Sequence, residues 1–205
     1  AGFSLVELLI TISIMASVAG VTVLMGRQSN SLASQTQSIS RLDRQLHGTL
    51  DRIVRELRFA TLSSLLPTSA AGSPTLTFQV PTEYSSGARV LGPAQVFRWE
   101  SRQGDPLDGV DNNGNGLVDE GRVVWLRDAS EPTQATVLCR SVAGLFDRET
   151  RNGVDDNDND LVDEPGLCFE IDGRVLTIRM TVEGLDELGV VHSRSRVARV
   201  SLRNS

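Results

Sequence analysis

A chain of 205 residues has the length of one domain, or of one domain with an appendage, and its 40% hydrophobic and 22% charged content excludes a wholly disordered protein. All 20 basic residues are arginine, outnumbered by 26 acids, and the net charge of −6 disfavours a nucleic-acid binder, whose affinity needs a basic surplus. The charges are unevenly spread: Glu7 is alone among the first 26 residues, and acids crowd into two short segments further on.

From Leu8 to Met25 run 18 uncharged residues, LLITISIMASVAGVTVLM, enough to span a bilayer. A helix from Phe3 to Gly26 would reach about 36 Å, against a hydrocarbon thickness of about 30 Å. A secretory signal peptide is disfavoured, because no basic stretch precedes the run and no small-residue cleavage site follows it. Glu7 stands at the edge of the run, where an acid is unfavourable in lipid and needs a specific partner.

Gly2, Phe3, Ser4, Leu5, Val6 and Glu7, leading directly into this run, strongly resemble the N-terminus of type IV pilins and of the pseudopilins of type II secretion. The resemblance implies cleavage by a prepilin peptidase between Gly2 and Phe3, methylation of Phe3 as the mature terminus, and an assembly role for Glu7. Residues 1–2 are then the remnant of a leader and residues 3–26 a transmembrane and filament-core helix. A carboxylate at such a helix terminus can be neutralised by the free amine of a neighbouring subunit, which sets the axial register between adjacent helices. A plain membrane anchor with an incidental acid is the alternative.

No proline precedes Pro67, so nothing forces the helix to stop at a membrane surface. Ile39, Leu42, Leu46, Leu50, Ile53, Leu57 and Ala60 recur every three or four residues, the stripe of an amphipathic helix. The polar face carries Asp51 with Arg55 and Arg52 with Glu56 at ion-pair spacing. Residues 27–66 are therefore expected to continue the helix into a head, giving one helix from residue 3 to about 64, roughly 90 Å long. Gly20, Gly26 and the polar stretch from Gln28 to Ser38 favour bending or local melting between residues 20 and 38. A parallel coiled coil is the rival for the second half, but the stripe lasts only about three heptads and a β-rich tail follows.

After Pro67 the pattern changes to short alternating runs: Thr75 to Val80, Val96 to Glu100, Arg122 to Arg127, Thr136 to Arg140 and Leu167 to Ile171. LCFEI, Asp172-Gly173 and RVLTIRMTV read as a hairpin, with Leu176, Ile178, Met180 and Val182 on one face of its second arm. A final run, Val197 to Leu202, could close the sheet. The expected fold class is α+β: a long N-terminal helix packed on an antiparallel β-sheet head over residues 67–205, the lollipop of a pilin. Tyr84, Trp99, Trp125 and the six Phe read as core or strand residues. His47 and His192 have no acid, cysteine or serine at catalytic spacing.

DGVDNNGNGLVDE, residues 108–120, recurs as NGVDDNDNDLVDE, residues 152–164, with nine of thirteen positions identical at an offset of 44. Oxygen-bearing side chains alternate at Asp111, Asn113 and Asn115 and at Asp155, Asn157 and Asn159, followed by Asp119 and Glu120 and by Asp163 and Glu164. Such alternation turns successive side chains inward around a hard cation, and calcium, taking six to eight oxygens, suits it best. The pattern resembles the first half of an EF-hand loop, with Gly116 at the sixth position and Leu117 and Leu161 at the seventh, where the backbone carbonyl would serve. It departs at position twelve, occupied by Arg122 and Gly166, and in the second copy by Asp160 at the turn-glycine position. Calcium-ordered loops between strands are expected, a solvated acidic turn being the alternative. Cys139 and Cys168 bracket the second loop, and in an exported domain such a pair is expected to form a disulfide; two buried free thiols are the alternative.

Within the pilin-like family, Leu42 to Ala60 (LDRQLHGTLDRIVRELRFA), Val137 to Leu145 (VLCRSVAGL) and the size of the head look like a J-type minor pseudopilin or a W-type minor pilin. The implied function is structural, in a type IV pilus or a type II secretion pseudopilus. Its partners would be other pilin or pseudopilin subunits and prepilin peptidase, with single-pass residence in a bacterial inner membrane before assembly into a periplasmic or extracellular filament. A major pilus subunit or surface adhesin is the alternative. The chain carries no Ser-His-Asp or Cys-His arrangement, phosphate loop or metal-water motif, and it is not expected to be an enzyme.

Overall fold

Without proline to break it, the N-terminal sequence forms a single helix, α1 (Leu5–Leu57), of 53 residues and about 80 Å. The computed structural model describes residues 4–68, 72–85 and 88–202; the expected processing residues Gly2 and Phe3 lie outside the described residues. The polar stretch between residues 20 and 38 does not interrupt α1. The helix ends earlier than the expected residue 64, because Thr61 N–H turns to donate to Gln79 O at 3.0 Å and draws the chain onto the sheet.

The strands follow in chain order: β1 (Thr75–Phe78), β2 (Pro81–Ser85), β3 (Ala88–Leu91), β4 (Gln95–Ser101), β5 (Gly121–Leu126), β6 (Thr136–Val142), β7 (Leu167–Asp172), β8 (Val175–Leu185) and β9 (Val191–Ser201). Seven form one antiparallel sheet in the order β1-β4-β5-β6-β8-β7, with β9 on the other side of β8, while β2 and β3 make a separate hairpin. The β7–β8 hairpin is present, but its turn is Gly173-Arg174 rather than Asp172-Gly173, since Asp172 pairs with Val175.

β6 and β7 share one edge of β8 in succession, through Val142↔Val182 and Leu167↔Met180. Beyond β7 the path meets its own beginning: Ser73 N–H donates to Phe169 O at 2.9 Å and Phe169 N–H to Ser73 O at 2.8 Å. The sheet is thereby nearly barrel-shaped. The helix and antiparallel sheet are as expected, and this near-closure is a departure from a pilin-like head.

The second half of α1 packs on β8, β9 and β6. Leu46, Leu50, Ile53 and Leu57 join Leu76, Phe78, Phe97, Val123, Phe169, Leu176, Ile178, Met180 and Val182 in one core, so the alternation read in β8 holds. Polar contacts fix the helix on the sheet: Gln45 Nε2 donates to Cys139 Sγ at 3.0 Å, and the Arg52 guanidinium lies 5.0 Å from the Trp125 ring centroid while pairing with Glu56 at 3.2 Å.

The N-terminal part of α1, Leu5–Val23, buries none of its surface against the rest of the described residues. Leu5–Val23 has a mean hydropathy of 2.0 with none of it buried, long and apolar enough to cross a membrane. Its hydroxyls are satisfied within the helix, Thr11, Ser13, Ser17 and Thr22 each donating to the carbonyl four residues earlier at 2.7–2.9 Å. An apolar medium therefore meets no unpartnered hydroxyl from these four residues.

Candidate metal centre in the paired acidic loops

Both acidic segments are strand connections at the same end of the sheet, one joining β4 to β5 and the other β6 to β7. Gly121, at the exit of the first, pairs with Val142, at the entrance to the second, and Arg151 donates to Leu107 O at 3.0 Å between them. Leu117 is buried, and Gly116 abuts Leu185, so the first loop is pressed against the end of β8. Leu161 lies at the corresponding place in the second loop, beside Gly72.

The residues at alternate positions divide into two kinds. Asp111 and Asp155 organise backbone: Asp111 accepts from the N–H of Gly114 and Gly116, both at 2.7 Å, and Asp155 from those of Asn159 at 3.2 Å and Asp160 at 2.7 Å. Asp119 and Asp163 close the loop necks, accepting from the amides of Gly109 and Gly153. Asn113, Asn115 and Glu120 instead come together, both amides donating to Glu120 Oε1. Asn157, Asn159 and Glu164 do the same in the second loop. Leu117 and Leu161 give their N–H groups to Asn115 and Asn159 at 2.8 and 2.9 Å.

Two further acids belong to these clusters and were not expected. Asp105, wholly buried, accepts the Asn112 N–H at 2.9 Å and approaches Glu120, and Glu149 accepts the N–H groups of Asp156, Asn157 and Asp163 while facing Glu164. They are 44 positions apart, the same offset as the repeat, and that shared offset was the available signal. Glu120 and Glu164 are also buried. Burial raises the Glu120 carboxyl, but its contact with Asp105 and hydrogen bonds from Asn115, Asn113 and Arg102 bring it below the usual carboxylate range. Burial and the Glu164 charge together push Glu149 above that range.

Arg102 reaches Glu120 Oε1 at 2.9 Å from a half-exposed position. Among the described residues no group of three or more His, Cys, Asp or Glu is arranged to hold a metal ion; each buried cluster gathers two carboxylates and two asparagine amides, and the first also receives Arg102. Such oxygen-only sets suit a hard cation rather than a soft one.

The expected disulfide is not formed: Cys139 and Cys168 are both buried free thiols. The reason is strand parity. Cys139 opposes Val123 on the core side, whereas Cys168 opposes Arg179 on the outer side, so the two sulfurs lie on opposite faces of the sheet. Burial pushes the Cys168 thiol up to about 11 and raises Cys139 too, leaving both unreactive as nucleophiles. Glu7 is exposed in the first turn of α1, where a negative charge suits the helix dipole.

No family model, curated protein or solved structure matches the chain.

Proposed function

We propose that this chain is a structural subunit of a type IV pilus or type II secretion pseudopilus, a minor pilin or pseudopilin with a calcium-stabilised head. Prepilin peptidase would cut before Phe3, the apolar half of α1 would hold the chain in the inner membrane, and Glu7 would then engage the terminal amine of a sister subunit as the helix enters the filament. The observation that carries this reading is the division of one unbroken helix. Its N-terminal span, Leu5–Val23, is apolar and exposed, with a lone acid in the first turn, while the apolar stripe from Leu42 to Leu57 is buried against the sheet. A free-standing anchor would need neither the rigid continuity nor the acid.

Glu7→Ala tests it. The variant should accumulate in the membrane with an unchanged head melting temperature but fail to enter filaments. Incorporation as efficient as that of the unaltered chain would falsify the assembly role.

A further inference from the structure

Three oxygens in the acidic loops have no hydrogen-bond partner although they are sealed from solvent: Asp105 Oδ2, Glu120 Oε2 and Glu164 Oε2. Asp105 and Glu120 are 0% exposed and Glu164 3%. Buried carboxylate oxygens without a partner are among the costliest arrangements in a protein, because the lost hydration is not replaced. Arg102 answers only part of the charge in the first loop, since it binds the other oxygen of Glu120 and leaves Glu120 Oε2 and Asp105 Oδ2 without a hydrogen-bond partner. In the second loop, among the described residues, no basic side chain bridges Glu149 or Glu164.

We propose that a calcium ion sits between Asp105 Oδ2 and Glu120 Oε2, and a second between Glu149 and Glu164, so that Asp105 and Glu149, which lie outside the acidic motif, are metal ligands. This deepens the calcium part of the reading above and is independent of filament assembly. Asn113 and Asn115 in one loop, and Asn157 and Asn159 in the other, now donate their side-chain N–H groups to the glutamate Oε1, so their amides would have to turn over to offer the ion a neutral oxygen. Asp111 and Asp155 act as positioning residues: by holding loop amides they aim the asparagines at the glutamate. The scheme therefore differs from an EF-hand, in which the first aspartate is itself a ligand.

The test is calorimetric titration of the full chain in detergent with calcium chloride, together with thermal melting in chelator. The unaltered chain should bind two calcium ions, and Asp105→Asn one fewer. Because the new amide can donate to Glu120 Oε2 while Asn112 N–H keeps its acceptor, Asp105→Asn should also melt higher than the unaltered chain in chelator, a gain that misfolding cannot imitate. Glu149→Gln should weaken the second site by at least about tenfold, the loss that follows even from removing a partner of a ligand. Two ions bound by Asp105→Asn with unchanged affinity would overturn the ligand assignment alone, as would a lower melting point in chelator. No calcium bound by the unaltered chain would remove the calcium reading as a whole, leaving the Glu7 test untouched.

Discussion

Asp186 holds the turn between β8 and β9 with one side chain. Its Oδ1 accepts the N–H groups of Leu188 and Val190 at 2.8 and 2.9 Å, and its Oδ2 meets His192 Nε2 at 3.0 Å. The His192 hydrogen bond, with the backbone bonds, holds this carboxyl below the usual carboxylate range. A depressed acid stabilises the fold above its unfolded value of about 3.9, and that contribution is lost as pH falls through the folded value. Amides of Leu188 and Val190 should therefore lose hydrogen-exchange protection on acidification below about pH 4. In Asp186→Asn that acid step should vanish; an identical pH profile in the variant would show that the carboxylate does not hold the turn. Gly166 is a second point of dependence, its N–H donating to Gly144 O at 3.0 Å and its carbonyl accepting from Thr181 at 2.8 Å where β6, β7 and β8 meet. A methyl group there would collide with the Ala143 carbonyl, so Gly166→Ala should lose about 1–3 kcal/mol in denaturant titration, the usual cost of overpacking.

At the scale of elements, the two halves of α1 obey different rules. Ile53 is 0% exposed and Ile12 57%, so Ile53→Ala should cost about 2–5 kcal/mol of head stability, while Ile12→Ala should leave the head transition where it was. Equal effects of the two would mean that α1 is not divided as described. This division was legible in the sequence because both halves carry a periodic or continuous apolar signal, from the run ending at Met25 to the stripe ending at Ala60. The core strands were legible for the same reason, β8 most clearly. The β2–β3 hairpin was not: its strands are almost entirely exposed, so no buried face imposes alternation. The first half of β9, VHSRSR, is held by pairing with Met180 through Leu185 rather than by an apolar pattern of its own. Asp105 and Glu149 escaped notice because the two copies use different acids three residues ahead of the matched segment. The cysteine pairing failed for a physical reason too, since nearness along the chain carries no information about which face of a curled sheet each side chain takes.

Across the whole molecule, the acidic loops join the electrostatics of the chain to the integrity of its sheet. Glu120 immediately precedes β5 and Glu164 stands three residues before β7, so charge repulsion in either cluster acts on the end of a core strand. β7 is also the strand that brings the sheet round to Ser73, and loosening its first residues threatens the near-closure itself. A cation bound only by the folded chain at 100 times its Kd adds about 2.7 kcal/mol per site. For a protein of this size each kcal/mol moves the melting temperature by about 2–4 °C, so chelation should lower the midpoint by at least about 5 °C per occupied site. The loss should also be patterned. Hydrogen exchange should rise first at Gly121–Val123 and Leu167–Phe169, while Leu46–Leu57 of α1, buried against β6, β8 and β9, keeps its protection until the head melts as a whole. A chelator that changes neither the midpoint nor the exchange at those strand ends would make the loops ordinary solvated turns, with their buried carboxylates stabilised by the protein alone.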